Sequence, residues 1–142
     1  MVGLDLGARR IGVAVSDSQG VLASPYSTIE RGDDPAADRA AVAAVVDEVG
    51  AGCVVVGLPL GLDGRVGQAA RAAQEEADAL AVTLADAGVE VETFDERLTT
   101  VSAERALAAA GHRSKARRRV VDQSAAAVLL QAWLDRRRGT MP

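Results

Sequence analysis

One cysteine (Cys53), one histidine (His112) and three aromatic residues (Tyr26, Phe94 and Trp133) are all that 142 residues contain of these types. A lone cysteine forms no internal disulfide, so nothing ties the chain to an oxidising compartment. Set against the apolar run Val54-Val55-Val56, Cys53 reads as a buried structural thiol rather than a nucleophile. Zinc sites of the His/Cys type need several such ligands and are excluded. Three rings are too few for a row of base-stacking platforms. No apolar stretch approaches the ~20 residues of a membrane span. The start has neither the basic region nor the long apolar region of a signal peptide. A soluble, cytoplasmic protein with no membrane partner is expected. Lysine is nearly missing too: 15 of the 16 basic residues are arginine, which favours bidentate contacts to phosphate over point charges.

What is present suits one packed α/β domain. Hydrophobic residues make up 49% of the chain, and the length supports a single core. We expect one domain over residues 1–138 and a disordered tail over 139–142. The net charge of −4 hides an asymmetry. Residues 1–104 carry 7 basic and 18 acidic side chains, whereas residues 105–142 carry 9 basic and 2 acidic. A basic end on an acidic chain points to a polyanionic partner.

Residues 2–6, 11–16 and 21–29 read as three strands of an antiparallel meander, with Pro25 suggesting an edge or a bulge. Asp33-Asp34-Pro35 has the form of a helix start, and Gly50 or Gly52 of its stop near Val49. Residues 53–58 are an apolar β-branched run, suited to a central parallel strand. The Gly/Pro-rich loop 57–64 follows, either an ordinary strand-to-helix connection or a segment that shapes the groove by close backbone approach. A helix is expected over 67–87, a strand over 89–94, a helix from Thr99 or Thr100 to Ala110, a mobile basic segment over 112–119, and a last helix over 119–137. This order demands a mixed sheet with helices on both faces.

Three acids stand out. Asp5 lies inside Val-Gly-Leu-Asp-Leu-Gly, where a carboxylate is a poor strand former and costly to bury without a partner or a metal. Its alternative is a bond to the turn at Arg9 and Arg10. Asp95 and Glu96 end a strand, where ligands of open α/β sheets gather. Adjacent strand residues point to opposite faces, so only one of them shares a face with Asp5; Glu96 is favoured for its reach, with Asp95 as rival. Asp122 heads the apolar stripe Ala126, Leu129, Trp133 of the last helix. Hard oxygen ligands of this kind suit Mg²⁺ or Mn²⁺. Two such ions ~3.5–4 Å apart would activate a water and stabilise the leaving oxygen of a phosphodiester. Arg9, Arg10 and Arg97 beside the acids, and Arg113, Lys115, Arg117, Arg118 and Arg119 just before Asp122, are candidate contacts to a nucleic-acid backbone. Arg136 to Arg138 complement the dipole at the end of the helix.

Four segments sharpen this reading. Val2-Gly-Leu-Asp5-Leu-Gly-Ala-Arg-Arg-Ile-Gly-Val-Ala-Val-Ser-Asp17 resembles the opening motif of the YqgF family, also called RuvX. Val56-Gly-Leu-Pro-Leu60 resembles its second motif, Asp95-Glu-Arg-Leu-Thr-Thr100 its third, and Val121-Asp122-Gln-Ser-Ala-Ala-Ala-Val-Leu-Leu-Gln131 its last. All four stand in the family's order across essentially the whole chain. Members are named as pre-16S ribosomal RNA nucleases and as Holliday junction resolvases. The resemblance implies a ribonuclease H-like fold with a five-stranded mixed sheet. It implies metal ligands at Asp5, at Glu96 or Asp95, and at Asp122, and maturation of the 5′ end of pre-16S rRNA. One departure is that Asp5 stands only four residues from Met1, so the first strand is short for the family.

Three other readings compete. Branched DNA is an alternative substrate, in a junction resolvase that needs a symmetric dimer; either a monomer or a homodimer fits the sequence. A non-catalytic nucleic-acid-binding module would retain binding without cleavage. Leu4-Asp5-Leu6-Gly7 also resembles the first phosphate motif of actin- and hexokinase-like ATPases, which need two lobes and more than twice this length. No Walker A loop, Gly-x-Gly-x-x-Gly turn or Gly-x-Ser-x-Gly elbow is present.

Overall fold

A computed structural model describes residues 1–60, 67–99 and 115–139, with side chains of the last segment described from Ala125 onward. Three strands open the chain: β1 (Val2–Leu6), β2 (Arg10–Ser16) and β3 (Ala23–Glu30). Helix α1 (Pro35–Val49), strand β4 (Cys53–Leu58), helix α2 (Gln68–Leu84) and strand β5 (Glu90–Asp95) follow, and helix α3 (Lys115–Gly139) closes it. The five strands form one sheet in the order β3-β2-β1-β4-β5. Pairing is antiparallel from β1 to β3 and parallel between β1, β4 and β5. The mixed sheet expected from the element order is therefore present.

Local chemistry accounts for the element ends. Asp34 caps α1 by accepting a 3.0 Å hydrogen bond from the Ala36 amide, and Pro35 occupies the first turn, where no amide is needed. Gly50 ends α1 at φ 67°, a conformation that suits glycine at a helix stop. Pro25 sits in the edge strand β3, and the β2–β3 register shifts between Val13 and Ala14, opposite it. Both the edge and the bulge anticipated for Pro25 are there, because an edge strand tolerates a missing donor.

Two boundaries differ from expectation. Helix α2 gives way after Leu84 to a 3-10 turn over Ala85–Ala87 before Gly88. Helix α3 starts at Lys115, four residues early, so Lys115 to Arg119 are helical rather than part of a mobile segment. Ala, Lys and Arg are strong helix formers, and neither Gly nor Pro interrupts them. The helix expected from Thr99 or Thr100 to Ala110 lies outside the described residues, as do His112, Arg113 and most of the 139–142 tail; Gly139 itself ends α3.

The alternation of strand residues sorts the sheet into two faces. Val2, Leu4, Ile11, Val13, Val54 and Val56 pack against Val42 and Val46 of α1 and Ala77, Leu80 and Leu84 of α2. Ala14, Cys53 and Val55 pack against Ala126, Leu130, Trp133 and Leu134 of α3. Helix α3 comes very close to β1. A Cβ on Gly3 would stand 2.8 Å from Leu130 Cβ, closer than two carbons can pack. Among the described residues no helix is long and apolar enough to cross a membrane.

Candidate functional site

Asp5 is 1% exposed and shares the α3 face of β1 with Gly3. Across β2 it is in register with Gly12. On the other side Leu4 pairs with Val56, so the next residues along the two parallel strands are Asp5 and Gly57.

Glu96 fills the space above Gly57. A Cβ there would lie 2.8 Å from Glu96 Oε1, 3.1 Å from its Cγ and 3.1 Å from Leu129 Cδ2. The absence of a side chain on Gly57 is what admits the glutamate between sheet and helix. Glu96 is 3% exposed. Asp5 on β1 and Glu96, seated over Gly57 of β4, are thus two buried carboxylates on the α3 face of the sheet. Burial pushes the Glu96 carboxyl up to about 7, and the adjacent Asp95 carboxylate adds to the rise.

Asp95 is committed elsewhere. Arg97 donates to it from Nε at 3.0 and 2.9 Å and from Nη2 at 2.6 Å, and the Arg97 amide adds a bond of 2.9 Å. The Arg97 guanidinium, with that amide, holds Asp95 below the usual carboxylate range. Strand alternation was expected to separate the two acids. Instead β5 ends at Asp95, and a 3-10 turn over Glu96–Leu98 swings Glu96 inward.

The other anticipated residues fall in three groups. Arg9 is exposed and Arg10 is 7% exposed, both by the β1–β2 turn. Lys115, Arg117, Arg118, Arg119 and Asp122 lie on α3, position 122 being one turn ahead of Ala126, but their side chains are not among those described. Arg113 lies outside the described residues. Among the described residues no group of three His, Cys, Asp or Glu side chains converges to hold a metal; Asp5 and Glu96 supply two carboxylates.

Sequence reasoning passed over Arg31 and Asp38. Arg31 Nη1 donates to the Gly7 carbonyl at 3.1 Å, and its Nε lies 3.9 Å from Asp38 Oδ2. Asp38 is buried and accepts from the Gly32 amide at 3.1 Å. The available signal was an arginine directly after a strand, opposite Arg9 in the β2–β3 hairpin. Gly57 belongs to β4, whose bounds are those of the expected strand 53–58.

The family model described as RuvX, Holliday junction resolvase, matches residues 1–136. The chain belongs to the RuvX family. A relative from Mycolicibacterium paratuberculosis K-10, named "Putative pre-16S rRNA nuclease", is 50% identical over 137 residues, 96% of this chain and 80% of its own length. One of the same name from Mycobacterium leprae TN is 48% identical over 141 residues, 99% of this chain and 75% of its own length. Among solved structures, Thermus thermophilus RuvC in complex with a Holliday junction substrate matches with a TM-score of 0.61 at 20% identity, over 98% of this chain and 95% of that one. A second Thermus thermophilus RuvC structure gives 0.56 at 21% identity. The RuvX chain thus has the ribonuclease H-like fold of RuvC.

A divalent cation fits the donor set of this RuvX chain. Two buried carboxylates, Asp5 on β1 and Glu96 over the adjacent strand, the latter with its ionised form disfavoured by burial, make a site where positive charge would be stabilising.

Proposed function

We propose that the chain is a divalent-metal-dependent nuclease that processes the 5′ end of pre-16S rRNA. Asp5, Glu96 and Asp122 are its acidic ligands. The observation that carries the reading is the burial of Asp5 on β1 and of Glu96 over Gly57 of the adjacent strand, whose missing side chain makes room for the glutamate. The names of relatives near 50% identity supply the substrate.

Mg²⁺ or Mn²⁺, as a pair, would lower the pKa of a bound water and stabilise the leaving oxygen. The remaining work belongs to the chain. Asp5 is fixed by the central strand and Glu96 by the 3-10 turn, so neither needs reordering when substrate arrives. Asp95 holds Arg97 at the mouth, where a guanidinium can meet backbone phosphate. Arg9 and Arg10 extend positive charge along the β1–β2 turn, and Arg113, Lys115 and Arg117 to Arg119 supply it ahead of Asp122. The pairing with Arg97 keeps Asp95 from competing with Asp5, Glu96 and Asp122 for the cation.

The test is a cleavage assay with Mg²⁺ or Mn²⁺ on a pre-16S rRNA fragment, an unrelated single-stranded RNA and a four-way DNA junction. Selective cutting of the precursor is expected, and Asp5→Asn abolishes it with the fold intact. Cutting that survives Asp5→Asn removes Asp5 from the mechanism. The likeness to RuvC favours one other substrate: preferential cutting of the junction makes the chain a resolvase. Binding without cleavage of any substrate makes it a non-catalytic module.

A further inference from the structure

Arg9 and Arg31 form an unusual pair. The β2–β3 ladder ends with Arg10 opposite Glu30. One residue further out, Arg9 faces Arg31, and a 2.9 Å bond from the Arg31 amide to the Arg9 carbonyl holds them opposite each other. Like charges directly opposed across antiparallel strands are destabilising, so a hairpin that ends in two guanidinium groups needs a reason. The two arginines, with Arg10, line a cleft of about 500 Å³ whose carboxylates are Glu30 and Asp33. Arg9 is exposed on its wall, while Arg10 is buried and Arg31 half-buried.

This cleft is tied to the acidic site by backbone. The Gly7 amide donates to the Asp5 carbonyl at 3.2 Å and to the Arg10 carbonyl at 2.9 Å. Arg31 Nη1 donates to the Gly7 carbonyl at 3.1 Å. The turn that follows Asp5 is therefore the seat of Arg31. Asp38 steadies the other edge of the guanidinium at 3.9 Å. Arg31 remains 24% exposed at the side chain, and Arg9 is exposed.

We propose that Arg9 and Arg31 form a phosphate-binding subsite that grips the nucleic-acid backbone beside the scissile bond. This rests on the nuclease reading above, and it gives that site a fixed direction of approach. The strand crosses the sheet edge from Asp5 and Glu96 toward α1. Both arginines are positioning residues that touch a neighbouring phosphate, and neither touches the reacting atoms. Contacts to phosphate carry no base identity, so the subsite is blind to sequence.

The test is binding of a fluorescent single-stranded RNA fragment of the pre-16S 5′ end, and of a scrambled RNA of equal length, in EDTA and over a range of salt. Arg9→Gln and Arg31→Gln should each weaken both RNAs by roughly tenfold at low salt. Each should also lower the slope of log K against log salt by about 0.7, one phosphate contact on a single strand. Asp38→Asn removes the partner of Arg31 and leaves its charge, so the slope should stay at the wild-type value. If Arg31→Gln merely loosens the fold, Asp38→Asn reproduces its weakening with no change of slope, and the proposal is overturned. Should Arg31→Gln fail to fold, the exposed Arg9→Gln decides alone, and an unchanged slope there also overturns it. Cleavage is read separately in metal. Slopes that fall in a protein that cuts nothing support the subsite and reject the nuclease. Cutting with unchanged slopes does the reverse.

Discussion

Replacing Glu96 by glutamine separates what this acid contributes from what it costs. Its carboxyl is raised from 4.5 to about 7, first by burial and then by Asp95. At 1.36 kcal/mol for each pH unit, that is about 3 kcal/mol against the ionised form in the folded chain. The native state holds a proton between those two values and the unfolded state does not. Stability is therefore fully present below about 4.5 and is lost as pH rises through about 7. Glutamine has no such dependence. In EDTA, the difference in unfolding free energy between Glu96→Gln and wild type should widen in favour of glutamine by roughly 2 to 3 kcal/mol from pH 5 to pH 8. Urea melts of both proteins at several pH values measure it, and shifts common to both cancel. A gap that stays constant over this range refutes the argument. Mg²⁺ or Mn²⁺ at pH 8 should then restore wild type and leave Glu96→Gln unmoved, because only a ligand that binds the native state adds stability.

Gly57→Ala puts a methyl 2.8 Å from Glu96 Oε1 and 3.1 Å from Leu129 Cδ2. It should cost about 1–3 kcal/mol in thermal or urea melts and displace Glu96, so cleavage should fall more than stability explains; a fully active, equally stable variant would contradict this packing. Cys53 is pushed up to about 11 from 9.0 by burial and then by Glu92. Iodoacetamide at pH 8 should modify the native thiol about a hundredfold more slowly than the urea-unfolded one, since only the thiolate reacts; equal rates would place it at the surface. Asp34→Ala removes the bond to the Ala36 amide and should cost about 1 kcal/mol, with activity unchanged; a loss well below that in urea melts would show that Pro35 alone starts α1.

Most of the fold was legible because strong local signals agreed with the global arrangement. Pro25 announced an edge, Asp34-Pro35 a helix start, Gly50 and Gly88 stops, and the run Cys53–Leu58 a strand buried on both faces. Asp5 was legible for the opposite reason, as a charge in an apolar strand that nothing local explains. The start of α3 was not, because Lys115 to Arg119 have high helix propensity but no apolar periodicity to show it. Glu96 was favoured over Asp95 by reach, whereas the structure buries it through a 3-10 turn that Asp95 caps with its own side chain. Arg31 was passed over, because its position directly after a strand gains meaning only from the residue that faces it in the β2–β3 hairpin, and register is not a local property.

The two faces of the sheet divide the physical load, and this explains where the site can sit. Toward α1 and α2 the sheet presents Val2, Leu4, Ile11, Val13, Val54 and Val56, all branched or bulky. Toward α3 the same strands present Gly3, Asp5, Gly12, Ala14, Cys53, Val55 and Gly57. A carboxylate set needs room between helix and sheet, and only the small-residue face offers it. Buried charge is a liability that the aliphatic face must offset, since a domain has only about 5–15 kcal/mol of net stability to lose. A cation at Asp5 and Glu96, as proposed, would reverse the sign of that liability. Glu96, whose ionised form burial disfavours in the metal-free chain, would become a contact through which a metal strengthens it, so the rise in pH that costs the free protein this stability is also what readies Glu96 to bind.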